Sequence, residues 1–479
     1  MVINGYAVNA NTGLNIKDYI GLILISVSIA AILSFIQEYV LIAALLLFSA
    51  VILLIYWEKI ILGVIVISYL TTLTDYVGES RIIFNLLFTL LLLYLFLKKY
   101  GLNYKVYPRL PVIIIIFLVL LFSTLVLSTI FSDYFLLGTY SIITSLLFFI
   151  IVYMFYGLIE SKKDIYVIII SLAISVTIVV IRMFLDLYYL GFENYYLKVT
   201  FQGDVELYGS AGYTGYTIFF ISATLLFSII IVSKFAKYKN KLFYIIIFFI
   251  HIFALIFSNS RALIVSAFIS IGFILFYINR RMFYRVTGVL ILMILLLITI
   301  PPVYNTIELY LRLDTVNQRD YLWQAGADVI SDNLIFGVGP RAFPNYFYSY
   351  APSHIFEFFN LDIWKYGIPQ PHNLFLYYWA ENGILGFISI VTFFIVYFYL
   401  SVKVIKSTRN NNDEYFILAL SAAGIGLGML FRSFFEVSGI LSYGYITLDL
   451  PFWLVVSILI FIHENGENKS HSKVSIQHS

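Results

Sequence analysis

Long apolar runs separated by short polar loops organise this 479-residue chain. A helix that crosses the hydrocarbon core of a bilayer needs roughly 17–25 mostly apolar residues. Runs near that length fall at 20–36, 39–57, 59–74, 82–97, 111–130, 136–158, 165–190, 214–233, 242–258, 262–279, 284–301, 383–400, 415–434 and 444–463. They are continuous rather than alternating, so helices are expected and not the strands of a barrel. The expected fold class is an all-α polytopic membrane protein with about 14 transmembrane helices (roughly 12–14). The runs at 59–74 and 82–97 are short enough to be tilted or partly re-entrant.

The loops between these runs alternate in charge. One set carries Lys98, Lys99, Lys105 and Arg109, then Lys162 and Lys163, then Lys234, Lys237, Lys239 and Lys241. It continues with Arg280, Arg281 and Arg285, then Lys403, Lys406 and Arg409, and ends with Lys469 and Lys473. These loops hold most of the 29 lysines and arginines, and the excess marks them as cytoplasmic. Both termini are then cytoplasmic, as an even number of spans requires. The N-terminus lacks a basic region before a cleavage site, so the first run is expected to be a retained helix.

The expected organisation is residues 1–301 as transmembrane helices with short loops, 302–382 as one large external loop with amphipathic helices, 383–463 as C-terminal transmembrane helices, and 464–479 as a polar, disordered cytoplasmic tail. The external loop is too long for a mere connector. It contains a helix-like stretch around Val316–Ile330, a turn at Phe336-Gly337-Val338-Gly339-Pro340 and an aromatic segment around Phe343–Phe359.

Composition sharpens the class. Hydrophobic residues make up 62% and charged residues 11%, against about 25% charged in soluble domains. A net charge of +3, with the basic residues in short loops, is too small to imply nucleic acid, so none is expected as a partner, and the absence of cysteine excludes disulfides and thiolate metal sites. No His or acidic cluster has metal-ligand spacing, so neither a metal nor another cofactor is expected.

Three external places carry candidate chemistry. In Ser258-Asn259-Ser260-Arg261, Ser260 or Asn259 is placed to cap a helix starting near Ala262. Arg261 then adds its charge to the positive helix N-terminus, which suits a phosphate; a snorkelling interfacial arginine is the alternative. In Gln318–Ala325, Arg319 and Trp323 share a helical face with Leu322, Gly326 and Ile330, so the helix is expected on the bilayer surface. There Arg319 can grip a phosphate and Trp323 a sugar or lipid, or Arg319 simply pairs with Asp320 or Asp328. In Pro371-His372-Asn373, His372 stands at a helix start with a side chain suited to taking a proton near neutral pH; a hydrogen-bonded interfacial residue is the alternative. Glu381 follows near the point of membrane entry, and Gly383 and Gly386 permit close packing. Arg182 and Asp186 sit one turn apart on the external side, either as a pair or with Arg182 in the site. Arg432, Glu436 and Asp449 lie near the external ends of the last two spans and are further candidates to line it.

These segments, in this order, resemble the O-antigen ligase and Wzy-type polysaccharide polymerase superfamily. The resemblance rests on Ser260-Arg261 opening an apolar helix, on Arg319 and Trp323 leading into Asn333-Leu334-Ile335-Phe336-Gly337-Val338-Gly339, and on Pro371-His372-Asn373 with Glu381-Asn382-Gly383 and Gly386. It covers about residues 250–400. It implies a membrane glycosyltransferase of the GT-C-like type, without metal or cofactor, in the cytoplasmic membrane of a bacterium and acting at its external face. Its donor would be a polyprenyl-pyrophosphate-linked oligosaccharide and its acceptor a hydroxyl on a carrier-linked chain, a lipid core or a protein. A chain-length regulator is a further implied partner. His372, Arg261 and Arg319 would be catalytic, with the two arginines on the donor pyrophosphate. From their own placement, Trp323, Asn373, Glu381 and Arg182 are expected to join Arg261 and Arg319 in substrate binding. Many ligase-like members carry Pro-Asn in the preceding external region, where this chain has Tyr208-Gly209-Ser210-Ala211-Gly212-Tyr213-Thr214. That departure and the long aromatic loop tilt the expectation towards a repeat-unit polymerase, with an O-antigen ligase as the alternative. A transporter or flippase of lipid-linked sugars is the rival of another class; it would be expected to show related halves and midplane charges.

Overall fold

A computed structural model describes residues 58–71, 80–191, 215–236, 241–258, 260–301, 319–350, 370–409 and 413–477. The spans expected at 20–36 and 39–57, Asn259 and the 208–214 loop lie outside these residues, as do the side chains of Arg182, Asp186, Arg319 and Asp320. The described chain is helical: α1 Glu58–Thr71, α2 Ser80–Tyr100, α3 Val112–Ile130, α4 Phe135–Leu158, α5 Lys162–Leu190, α6 Gly215–Ala236, α7 Lys241–Phe257, α8 Arg261–Ile278, α9 Arg280–Ile298, α10 Arg319–Asp332, α11 Phe343–Tyr350, α12 Leu374–Thr408, α13 Asp413–Ser433 and α14 Ile446–Gln477. Seven of them are long and apolar enough to cross a membrane (in α3, α4, α5, α8, α12, α13 and α14), and three shorter apolar helices lie at Ile60–Leu70, Thr217–Val232 and Lys241–Ile256. The protein is a multi-pass membrane protein.

Small residues let the helices approach. With lipid outside, burial of apolar surface does little to bring helices together, so association depends on close packing and hydrogen bonds. The seam between α8 and α13 shows both. Gly424 lies against the Ser270 backbone, Gly428 lies against Ser266 and Ser270, and the Ser266 hydroxyl donates to the Gly428 carbonyl at 2.9 Å. The contact runs backwards along one helix as it runs forwards along the other, so α8 and α13 are antiparallel. Elsewhere His251 is fully buried, with its ring nitrogens 3.3 Å from Ser222 Oγ and 3.4 Å from Thr177 Oγ1. It ties α7 to α6 and α5. Apolar side chains point outwards on α3, α4 and α9, among them Ile116, Val119, Ile143, Leu147, Leu292 and Leu295, as lipid contact requires.

α12 is the organising element. It packs on α3, α13 and α14, and its aromatic residues interlock with theirs: Phe393 with Phe117 (5.3 Å between ring centroids) and Trp453 (5.6 Å), Tyr397 with Phe452 (5.2 Å). The span expected to start at 383 coincides with an interruption inside this helix, where Gly383 adopts φ 65° and ψ −164°.

Two outcomes differ from expectation. The buried face of α10 consists of Leu322, Ala325, Val329 and Ile330, and it lies on α12 rather than alone on the bilayer surface. An apolar face satisfied by a neighbouring helix has no need of lipid. The tail after residue 464 is also not irregular, because α14 continues to Gln477. Once a long span has nucleated a helix, adding further residues is cheap even where they are polar.

Candidate active site

The site is built around the broken helix. An unbroken α12 would satisfy the carbonyls of Ala380 and Glu381 from its own next turn. The break at Gly383 frees them, and the turn after α10 takes over. Val338 N–H donates to the Ala380 carbonyl (2.9 Å), Gly339 N–H to the Glu381 carbonyl (2.8 Å), and Ile384 N–H donates in return to Leu334 O (2.9 Å). The Ser128 hydroxyl adds a second donor to Glu381 O at 2.7 Å. A polar backbone inside a membrane protein must be paired, and here these groups pair because two glycines remove their side chains from the contact. Any Cβ on Gly383 would run into the Ile335 backbone, and one on Gly337 (φ 70°) into the Glu381 backbone. The Phe-Gly-Val-Gly and Glu-Asn-Gly segments are therefore two halves of one lock.

Glu381 completes the lock. Its side chain is fully buried, and its carboxylate accepts the N–H groups of Arg341 (2.8 Å) and Phe343 (3.1 Å). It thereby caps the first turn of α11, where free N–H groups need acceptors. Glu381, expected among the substrate contacts, has both carboxylate oxygens on backbone donors. α11 is held further by Tyr346, whose hydroxyl donates to Asp133 (2.7 Å), and by Tyr350, which donates to Asp332 (2.7 Å). Burial and the Asp133 carboxylate push the Tyr346 hydroxyl up to about 12.

His372 stands at the entrance to α12. The next residue, Asn373, uses its side-chain oxygen to accept from Phe375 N–H (3.0 Å) and Leu376 N–H (3.1 Å), an N-cap that fixes where the helix begins. Asn373 was expected among substrate contacts, and its oxygen is occupied by this cap. His372 itself has φ 43°, a left-handed conformation that is costly for a residue with a side chain and is found most at functional positions. Its Nδ1 lies 3.3 Å from Glu436 Oε1, with 31% and 21% of the two side chains exposed. A proton on Nδ1 shared with the carboxylate leaves Nε2 as a base directed elsewhere.

Glu436 sits in the connection between α13 and α14, which is rigidly pinned. Buried Arg432 donates to the Ser438 carbonyl and to Ser438 Oγ, and buried Asp449 accepts Ser442 N–H (2.6 Å) and Oγ–H (2.7 Å). Tyr378 donates to Leu441 O (2.8 Å) and Trp453 to Ile440 O (2.7 Å). Of the three acidic and basic residues expected near the ends of the last spans, Arg432 and Asp449 shape this connection and Glu436 meets His372. Nothing in the spacing of residues 372 and 436 signals that meeting; only the fold makes it.

Arg261 opens α8, and Ser260 occupies the N-cap position without a side-chain capping bond, contrary to the expected hydroxyl cap. The antiparallel register of α8 and α13 puts Arg261 level with Ser433, three residues before Glu436. Arg261 and the His372–Glu436 pair thus share one face of the bundle. α10 approaches the same place: Gly326 packs on Pro371, 3.5 Å from its Cβ to a Cβ built on the glycine. Arg319 starts that helix two turns earlier. Between them, Trp323 holds a buried indole N–H with no hydrogen-bond partner among the described residues.

Residues 246–391 match the model of the O-antigen ligase family (Wzy_C). Over this segment the chain is similar to O-antigen ligases. None of the curated proteins compared matches the chain. The O-antigen ligase segment includes Arg261, Arg319, Trp323, His372 and the whole glycine lock. It ends before Glu436, so the partner of His372 comes from outside the matched segment.

Proposed function

We propose that this protein is a membrane glycosyltransferase that moves an oligosaccharide from a polyprenyl pyrophosphate onto an acceptor hydroxyl, and that it acts as a polymerase of surface-polysaccharide repeat units. The observation that carries the reading is the His372–Glu436 pair at the same end of the bundle as the N-terminus of α8. In the transfer, the acceptor hydroxyl gives its proton to His372 Nε2 as its oxygen bonds to the anomeric carbon of the donor. The bond from that carbon to the pyrophosphate oxygen breaks, and its electron pair leaves with the pyrophosphate. Negative charge grows on the leaving group, so Arg261, Arg319 and the first-turn N–H groups of α8 stabilise the transition state more than the bound donor. Glu436 holds the imidazole in orientation and offsets its charge once it is protonated. Trp323 offers its N–H to the sugar. The wider architecture that accompanies this reading has about 14 spans, a GT-C-like arrangement, the site on the external face and both termini in the cytoplasm.

The test uses the full chain, purified and reconstituted, with its host's polyprenyl-pyrophosphate-linked repeat unit as sole substrate. A ladder of longer carrier-linked chains is the expected result. The family's description as an O-antigen ligase supports a second reading, transfer to a lipid core; product with that acceptor and no ladder would select it. Folded protein that turns over neither acceptor would overturn the transferase assignment.

A further inference from the structure

Arg341 is a cation in the described site region that the transfer chemistry does not use. It follows the glycine lock with φ 64°, and its N–H is fixed to Glu381. That conformation turns its side chain towards α4 and the α13–α14 connection. The guanidinium carbon lies 4.8 Å from the ring centroid of Tyr140, 4.8 Å from that of Tyr445 and 6.0 Å from that of Tyr443. Nη2 donates to the Tyr443 carbonyl at 2.8 Å. Among the described residues Nε is buried without a partner and no carboxylate pairs with the group. Tyr140 and Tyr445 are themselves 55% and 50% exposed, beside the outward-facing Phe135 and Leu136. The result is an arginine clasped by aromatic rings at the outer surface of a membrane bundle, five residues inside the start of α4. A charge on the apolar surface of a membrane protein is expensive unless it is paired, and a guanidinium is shaped for a phosphate.

The position along α12 adds a second argument. Arg341 is anchored at Glu381, nine residues beyond His372, which is roughly 13 Å along a helix axis. Because the long apolar part of α12 follows Gly383, Arg341 is anchored at the end of the Leu374–Asn382 segment that adjoins it, and His372 at the other end. A donor must present its pyrophosphate at the reacting carbon. An acceptor presents its hydroxyl there, and its own carrier phosphate lies a few sugar rings away, back towards the membrane.

We propose that Arg341, clasped by Tyr140, Tyr443 and Tyr445, is a second anion site that takes the phosphate of a membrane-anchored lipid. Two sources share that chemistry, the pyrophosphate of the acceptor's carrier and a resident phospholipid. The first rests on the transferase reading and the second does not. The experiment measures binding rather than turnover. Full-length protein in nanodiscs of phosphatidylethanolamine and phosphatidylglycerol is titrated with a sugar-free polyprenyl pyrophosphate, and lipids retained after detergent release are weighed by native mass spectrometry. The variants are Arg341→Gln, Arg341→Lys and Tyr445→Leu, with thermal unfolding as the control for folding. Arg341→Gln is expected to weaken carrier binding roughly tenfold, the size of one lost charge-assisted hydrogen bond. Arg341→Lys should retain part of the affinity and Tyr445→Leu should lose less. Unchanged carrier binding with loss of one retained phospholipid would assign the site to the phospholipid. If folded Arg341→Gln and Tyr445→Leu proteins match the parent in both readouts, Arg341 is only a clamp on the Tyr443 carbonyl and the proposal fails.

Discussion

Two glutamates on the same side of the bundle have opposite fates. Glu381 lies in the Glu-Asn-Gly segment that gives the O-antigen ligase resemblance much of its weight, yet it is fully buried and spends both oxygens on backbone N–H groups. Glu436 lies in an undistinguished stretch of Phe, Val and Ser, outside the family match, and it is the carboxylate that meets His372. The contrast separates two ways in which an acidic residue serves a site. Glu381 acts through the backbone, holding the loop that patches the broken helix. Glu436 acts on a side chain that ligands can reach. A motif marks the first kind readily, because a tight backbone arrangement tolerates few sequences; it says little about the second.

The comparison is sharpened first at the residue Glu436 serves. His372→Ala should lower turnover by about 10²–10⁴-fold, the usual worth of a positioned general base. It should leave thermal unfolding close to the parent's, since the ring is partly exposed and its one described hydrogen bond is long at 3.3 Å. A single-turnover assay alongside a melting curve checks both. Turnover within a factor of two of the parent would remove the base role and leave His372 to position substrate.

The next effect belongs to the buried side of the comparison. Glu381→Ala strips two acceptors from the Arg341 and Phe343 N–H groups, and Gly383→Ala forces a Cβ into the Ile335 backbone. Each should cost about 2 kcal/mol or more of stability. In detergent this should appear as a lower unfolding temperature and lower yield. Glu381→Gln should fall between Ala and the parent, because the amide oxygen can still accept one N–H. If Glu381→Ala unfolded like the parent but failed to bind donor, the structural assignment would be wrong and a substrate role restored.

These outcomes bear on what a sequence can disclose. Apolar runs of membrane length are legible because lipid imposes one physical requirement on every span. The glycine turn at 336–340 and the glycines at 383 and 386 are legible too, as places of tight backbone. That the turn and Gly383 touch is not, since more than forty residues separate them and the contact becomes visible only once α10 lies on α12. The same holds for residues 372 and 436. The polar tail after 464 misleads in the other direction: composition suggests disorder, while continuity with α14 extends the helix.

The smallest predicted effect tests whether Glu436 deserves its place opposite Glu381. Glu436→Gln keeps a hydrogen-bond acceptor 3.3 Å from Nδ1 but removes the charge that would offset a protonated imidazole. Turnover should fall roughly tenfold, one charge-assisted hydrogen bond being worth about 1.5–3 kcal/mol. Donor binding should change little, because Glu436 acts on the proton acceptor and not on the pyrophosphate. Glu436→Ala should cost more than Glu436→Gln by freeing the ring to rotate. In the His372→Ala background neither change should matter, since two residues that work as a unit do not add. Equal losses from Glu436→Gln in both backgrounds would show the carboxylate acting independently of the histidine, most simply on the sugar, and the pair would cease to be the centre of the site.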